Sequence, residues 1–126
     1  MKYLLDTHVL IWCADKRNSK LSANVEKIIL DPKNIICISS ASLWEIAIKV
    51  SLGKLTLSLA ELLGAIEKTG FKVLHTESVY LQKLIDLPQI HKDPFDRLLV
   101  ATAQVEDMML LTLDENIQKY DVQWMW

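Results

Sequence analysis

The chain has 126 residues, of which 51% are hydrophobic and 24% are charged, and its net charge is −2. This length suits one domain with one hydrophobic core, so we expect a single domain over residues 1–126. The composition excludes a disordered chain, no apolar run is long enough to span a bilayer, and a cytoplasmic protein is therefore expected.

Strands and helices are predicted to alternate along the chain. In order, the predicted elements are a strand over 2–5, helices over 9–12 and 23–30, a strand over 35–38, helices over 41–52 and 59–68, a strand over 71–74, a helix capped by Thr76 and ending at Leu87-Pro88, a helix from Pro94, a strand over 108–111, a helix over 115–120 and a strand over 122–125. This alternation predicts an α/β fold of three layers, with helices on both faces of a central, mostly parallel, five-stranded sheet.

The helix that begins at Pro94 has a clear start signal. Proline suits the first helical position, because its missing N–H is not needed there, and Asp93 before it fits the N-cap. Asp96 then falls in the first turn, where the helix dipole favours a carboxylate. The apolar run over 108–111 has the length of a strand covered on both faces.

Four acidic residues are placed where a parallel sheet carries its chemistry, outside the carboxyl ends of the strands. Asp6 ends the first strand, and Asp114 follows the fourth. Glu45 lies in the helix after the second strand. Asp96 opens the helix before the fourth strand, and such a helix begins on the side where its strand finishes. These four carboxylates could face one crevice.

The same acids also fit separate helix caps and surface positions. Three pairs have the spacing of a capping box: Asp93 with Asp96, Ser42 with Glu45, and Ser58 with Glu61. Glu45 stands apart because it lies in the apolar run over 43–48, where a lone carboxylate is costly unless it is paired or bound to a metal. The residues by themselves leave both interpretations open.

Four sequence blocks carry a resemblance to a known family. They are LLDTHVLIW over 4–12, SLWEIAIK over 42–49 with GKL over 53–55, HKDPFDRLLVA over 91–101, and LLTLD over 110–114. In this order, and spread from end to end, they resemble a PIN domain, and closely the toxin-type (VapC-like) members of bacterial toxin–antitoxin pairs. One departure is His8, where many relatives carry asparagine; it either contacts substrate or is a partly exposed turn histidine.

The resemblance implies that Asp6, Glu45, Asp96 and Asp114 form a catalytic metal site. Carboxylates held close repel one another, so some pKa values should rise, and a hard cation relieves the repulsion. An all-oxygen ligand set suits Mg²⁺ or Mn²⁺ better than Zn²⁺. Asp6 and Asp96 are expected to be the main ligands, completed by the other two acids.

Residues behind these acids are expected to support them rather than to bind the metal. They are Thr7, Asp93 and Thr112, and Asp93 is expected to act as an N-cap first.

The resemblance further implies hydrolysis of RNA phosphodiester bonds, a cognate antitoxin as protein partner, and a homodimer. A basic rim of Lys49, Lys54, Lys92 and Arg97 would attract the RNA backbone despite the acidic total charge. The alternative is that these are ordinary surface charges, and Arg97 could equally pair with a helix carboxylate.

Two tryptophans have a similar double interpretation. Trp12 and Trp44 could stack on bases, or they could be core or interface anchors.

Other functions are weighed against this one. A receiver domain would need an acid after the third strand, where His75 stands, and a haloacid-dehalogenase-like phosphatase would need a second aspartate at the position of His8. No P-loop or G-x-G-x-x-G is present. The serious alternative is a non-catalytic PIN-like domain that binds RNA or protein.

Overall fold

The structure is a computed structural model that describes residues 1–126 except for the side chain of Asn18. In the described chain, five strands alternate with seven α-helices. The strands are β1 (Lys2–Leu5), β2 (Ile35–Ser39), β3 (Lys72–Leu74), β4 (Met109–Leu111) and β5 (Trp124–Met125). The helices are α1 (Thr7–Ala14), α2 (Ala23–Leu30), α3 (Ser40–Ser51), α4 (Leu59–Thr69), α5 (Ser78–Ile85), α6 (Pro94–Glu106) and α7 (Glu115–Gln118).

The five strands form one sheet in the order β3-β2-β1-β4-β5. Every neighbouring pair is parallel, so the sheet is entirely rather than mostly parallel. The chain builds outward from β1 to β3 on one side and then crosses to β4 and β5 on the other. The strand order therefore changes direction between β1 and β4, which is where sheets of this type form a crevice.

Helices cover both faces of the sheet and confirm the predicted three-layer α/β/α architecture. Because successive side chains of a strand point to opposite faces, β1 contributes Tyr3 and Leu5 to one core and Leu4 to the other. The first core packs against α1 to α4, and the second packs against α6 and α7. No helix in the described chain is long and apolar enough to cross a membrane.

The start of β4 differs by one residue from the prediction. Asp107 adopts a left-handed backbone conformation at the end of α6, with φ 52°, and the N–H of Met108 donates to the carbonyl of Ala103 at 2.9 Å. The Met108 amide is therefore used to close the helix, and the strand begins at Met109.

The predicted cap of α5 is wrong. Glu77, not Thr76, occupies the N-cap, and no side chain accepts a hydrogen bond there. The remaining elements agree with the prediction to within a few residues. Differences of two residues occur at α1, which already begins at Thr7, at the ends of α5 and α7, and at β5, which is limited to Trp124–Met125.

Two glycines, one inside α4 and one at its C-terminal end, provide a matched test of backbone strain. Gly70 caps the helix with φ 78°, whereas Gly64 lies inside it, and an added Cβ would meet nothing within 4 Å at either position. Gly70→Ala should lower the free energy of unfolding by about 1–2 kcal/mol, because alanine resists the left-handed conformation. Gly64→Ala should instead raise it by about 0.5–1 kcal/mol through better helix propensity. Urea unfolding measures both; equal effects of the two variants would contradict the assigned cap.

Candidate active site

Asp6 lies at the centre of the carboxyl edge of the sheet. It follows β1 directly and is the N-cap of α1, so its Oδ1 accepts a hydrogen bond from the N–H of His8 at 3.3 Å. Its Oδ2 accepts a hydrogen bond from the hydroxyl of Thr112 at 2.7 Å. Only 2% of Asp6 is exposed. This burial raises the pKa of Asp6 above its ordinary value, and the Thr112 hydroxyl partly opposes the rise.

Thr112 connects Asp6 to Asp114. It follows β4 in the register that pairs Leu5 with Leu111, so it stands beside Asp6 across the change in strand order. Its hydroxyl donates to Asp6 and accepts from the N–H of Asp114 at 3.0 Å. The Asp114 Oδ1 in turn caps α7, accepting from two backbone N–H groups. Asp6 and Asp114 are therefore both helix caps and both lie at the carboxyl edge of the sheet. The interpretation as caps and the interpretation as neighbours in one crevice are thus compatible for these two acids.

Glu45 is buried in the second turn of α3, with 7% exposure. The capping box proposed for Ser42 and Glu45 does not form, because Ser39 caps α3 and the Ser42 hydroxyl accepts from the Thr7 hydroxyl at 2.8 Å. The Oε2 of Glu45 pairs with Nζ of Lys49 at 3.2 Å. Its Oε1 is buried and has no hydrogen-bond partner among the described residues. An unsatisfied buried carboxylate oxygen is costly, so this atom is available to a ligand.

Asp96 occupies the first turn of α6, where Asp93 caps the helix. The Oδ1 of Asp93 accepts from the N–H groups of Phe95 and Asp96, so its predicted role as an N-cap is confirmed. The Asp96 side chain is 14% exposed, and its Oδ2 lies 3.2 Å from Nε2 of His91.

The electrostatic environment of Asp96 shows that the four predicted acids share one region. Burial, which has the largest effect, and the negative charges of four neighbouring carboxyl groups together raise the pKa of Asp96 to about 8. These neighbours are Asp93, Asp6, Asp114 and Glu45, in decreasing order of effect. The expectation that mutual repulsion raises pKa values is therefore confirmed for Asp96.

The acids are close but do not form a ready-made cage. Among the described residues, no three Asp, Glu, His or Cys side chains are grouped closely enough to hold a metal ion by themselves. The donor set nevertheless fits a hard cation, because it consists of carboxylate oxygens and includes the unsatisfied Oε1 of Glu45. Mg²⁺ commonly keeps several waters and is held by one or two carboxylates, so it does not require a complete protein cage.

The four predicted cations occupy different environments. Lys49 is paired with Glu45, and Lys54 and Lys92 are exposed. Arg97 is buried, with 7% exposure, which does not fit the predicted contact with substrate. Its guanidinium donates to the carbonyls of Pro88 and Leu84 and to the Tyr120 hydroxyl, so it also does not pair with a helix carboxylate. Arg97 therefore satisfies carbonyl groups at the end of α5 and in the turn after it, and it does not face a phosphate of the substrate.

The aromatic residues near the acids also lie in different environments. Trp44, which precedes Glu45, is 63% exposed and meets Phe95 edge to face, with ring centroids 5.3 Å apart. Trp12 is instead partly buried against the core and meets Trp126 edge to face. His8 is a half-exposed residue of the first turn of α1, with Nδ1 4.0 Å from the Asp6 carboxylate.

Two residues of the site were not singled out from the sequence. His91 contacts Asp96, and Tyr120 contacts both His91 and Arg97. His91 precedes the N-cap of α6 by two residues, and Tyr120 lies 24 positions after Asp96, so neither helical nor strand spacing links them to the acid. Only the tertiary structure brings them together.

A family model described as PIN domain matches residues 3–123. The chain belongs to the PIN domain family. The resemblance noted in the four sequence blocks is thereby confirmed.

Several solved structures share the fold of this chain. VapBC2 from Rickettsia felis bound to a promoter DNA fragment has a TM-score of 0.78 at 19% identity, covering 100% of this chain and 99% of that chain. VapBC from Salmonella typhimurium bound to DNA has a TM-score of 0.69 at 19% identity, covering 99% and 97%. FitAcB from Neisseria gonorrhoeae has a TM-score of 0.65 at 18% identity, covering 98% and 96%. A search of curated proteins found no match.

The raised pKa of Asp96 predicts how the stability of the metal-free PIN domain depends on pH. Between about pH 4 and pH 8 the folded protein keeps a proton that the unfolded chain has lost, so the free energy of unfolding should fall as the pH rises through this range and then level off. Asp96→Asn should flatten the slope, because its amide does not titrate. Urea unfolding in EDTA at several pH values measures this; an unchanged slope in the variant would contradict the raised pKa.

Proposed function

We propose that this PIN domain is a cytoplasmic, metal-dependent endoribonuclease that acts as the toxin of a type II toxin–antitoxin pair. The single observation that supports catalysis most strongly is the convergence of four acidic residues, with the pKa of Asp96 raised to about 8 and one Glu45 oxygen left without a partner. Buried carboxyl groups that destabilise one another are typical of a functional site, where a ligand offsets the repulsion.

Asp6 and Asp96 are the main ligands of a divalent cation, Mg²⁺ or Mn²⁺, in this proposal, and Glu45 and Asp114 complete the site or hold its waters. A bound cation would neutralise charge on the phosphodiester and make a water molecule easier to deprotonate at neutral pH. The protein contributes the geometry. Thr112 fixes the Asp6 carboxylate, and Lys49 holds one oxygen of Glu45 while the other stays available.

The substrate proposal rests on the cations that remain on the surface. Lys54 and Lys92 are exposed, and Lys92 precedes the Asp93 cap of α6, close in sequence to Asp96. Together with Lys49 they would attract the phosphates of single-stranded or looped RNA toward an acidic centre. Arg97 is left out of this set because its guanidinium donates to groups in the interior.

The partner proposals rest on the relatives and on two apolar surfaces. The VapBC complexes support a cognate antitoxin for this chain as well. A cleft of about 620 Å³ with mostly apolar walls, including Leu21, Ile29 and Leu57, could receive the apolar face of such a partner. A homodimer is supported by Leu81 and Ile85, which lie one turn apart on α5 and are 49% and 76% exposed.

The competing function is a PIN-like domain that binds RNA or protein without cleaving it. Such a domain would not need four mutually repelling acids at one edge of the sheet. It would bind Mn²⁺ weakly, and Asp6→Asn would leave its RNA binding unchanged.

RNA cleavage by the purified protein, freed of any bound antitoxin, tests the proposed activity. Cleavage should require Mg²⁺ or Mn²⁺ and stop in EDTA. Asp6→Asn and Asp96→Asn should each reduce the rate by at least about 100-fold, because each removes a charged ligand while keeping the shape of the side chain.

Asp93→Ser is the matched control for these variants. Serine is also a good N-cap, so the helix and most of the activity should remain. Loss of activity with Asp93→Ser equal to that with Asp96→Asn would show that the two roles are reversed. Cleavage that persists in both Asp6→Asn and Asp96→Asn would contradict the proposed active site.

The proposed basic rim predicts a change in the salt dependence of RNA binding. In an Asp6→Asn background, which permits binding without cleavage, Lys92→Gln should weaken binding of single-stranded RNA and reduce the slope of log K against log salt by about 0.7, the value for one lost phosphate contact. Lys68→Gln is the control, because Lys68 lies in the last turn of α4, the helix that leads to the start of β3 at the opposite edge of the sheet. Equal effects of the two variants would remove Lys92 from the rim.

A further inference from the structure

A chain of hydrogen bonds leads from the interior of the protein to the Asp96 carboxylate. Nη1 of Arg97 lies 3.0 Å from the Tyr120 hydroxyl oxygen, which lies 2.8 Å from Nδ1 of His91. Nε2 of His91 lies 3.2 Å from Oδ2 of Asp96. Each link is within hydrogen-bond distance, and the participating residues come from α6, from the segment before it and from the segment after α7.

The direction of these hydrogen bonds follows from the donor at one end. A guanidinium can only donate, so the Tyr120 oxygen accepts from Arg97. Tyr120 is 4% exposed, and its own proton therefore needs a buried acceptor, which Nδ1 of His91 provides. Because Nδ1 is the acceptor, the imidazole proton lies on Nε2, and this N–H donates a hydrogen bond to Asp96. This polarity suits the metal-bound protein, in which Asp96 would be ionised and could only accept.

Arg97, at the start of this series of hydrogen bonds, is itself held by further contacts. Nη1 also donates to the carbonyl of Pro88 at 2.8 Å, and Nη2 donates to the carbonyl of Leu84 at 3.4 Å. Both carbonyls belong to the end of α5 and the turn that follows it. Arg97 thus fixes the position of the Tyr120 hydroxyl, and this hydroxyl in turn orients the imidazole ring of His91.

We propose that His91 is a positioning residue of the active site, which is oriented by Tyr120 and Arg97 and holds Oδ2 of Asp96 so that the other carboxylate oxygen, Oδ1, faces the metal. The inference rests on the proposed function, because it assigns Asp96 to a metal site. Partners of this kind behind a metal ligand reduce the freedom of the carboxylate, and their loss commonly weakens metal binding. None of the three residues needs to touch the metal or the RNA.

Two amide substitutions at His91 separate positioning from a general structural role. Glutamine places its amide nitrogen where Nε2 stands and can still donate to Asp96, whereas asparagine places its amide where Nδ1 stands and does not reach it. His91→Asn should weaken Mn²⁺ binding, measured by isothermal titration calorimetry, by about 10- to 100-fold, and His91→Gln should restore an affinity close to that of the unaltered protein. Tyr120→Phe should weaken binding in the same direction, because Nδ1 loses its donor.

Two controls make the outcome unambiguous. His75→Gln alters an exposed histidine and should leave Mn²⁺ affinity unchanged. Asp96→Asn measures the loss of the ligand itself. If Asp96→Asn weakens Mn²⁺ binding but the His91→Asn and His91→Gln variants have the same Mn²⁺ affinity as each other, the positioning role is overturned while the metal site stands. If Asp96→Asn has no effect on Mn²⁺ binding, the proposed metal site itself fails.

The tautomer of His91 provides a test that does not depend on the folding of any variant. Long-range ¹H–¹⁵N spectra of the unaltered protein with diamagnetic Mg²⁺ should show a proton on Nε2 and an unprotonated Nδ1. A proton on Nδ1 would overturn the inferred direction of the hydrogen bonds and with it the positioning role.

Discussion

The hydrogen bond between the Thr112 hydroxyl and the Asp6 carboxylate is the contact on which the candidate site depends. It joins residues 106 positions apart in the chain, and it can form only if β4 lies beside β1 in the observed register. Asp6 is almost completely buried, and an ionised carboxylate in such a place is tolerated only with partners. The Thr112 hydroxyl and the N–H of His8 supply two such partners, so the chemistry of Asp6 depends directly on the strand order.

The same edge concentrates negative charge that the fold alone does not neutralise. Four other carboxyl groups raise the pKa of Asp96, and Lys49 is the cation that the structure pairs with Glu45. A folded protein that keeps such repulsion is less stable than one without it, at a pH where the acids ionise. A divalent cation would remove this cost. Under the proposed function, both stability and activity would therefore depend on a bound metal.

The site is supported from both layers of helices, in different ways. On one face, the Thr7 hydroxyl donates to Ser42 and ties α1 to α3, the helix that carries Glu45. On the other face, buried Arg97, Tyr120 and His91 connect the end of α5 to Asp96. Apolar packing fixes the helices only approximately, whereas these directional contacts fix individual carboxylates.

The sequence by itself determined the α/β class, most of the elements and the four acids, because these depend on local patterns. Alternating apolar runs predict strands and helices, Pro94 after Asp93 marks a helix start, and four ordered blocks identify a PIN domain. Only the tertiary structure decided the strand order, the burial of Arg97 and the contact of His91 with Asp96. The sequence shows that Arg97 follows Asp96, but it does not show whether the guanidinium faces a phosphate or a buried carbonyl. The difference depends on how α5 and the segment containing Tyr120 pack against α6, and such long-range packing leaves no periodic signal in the chain.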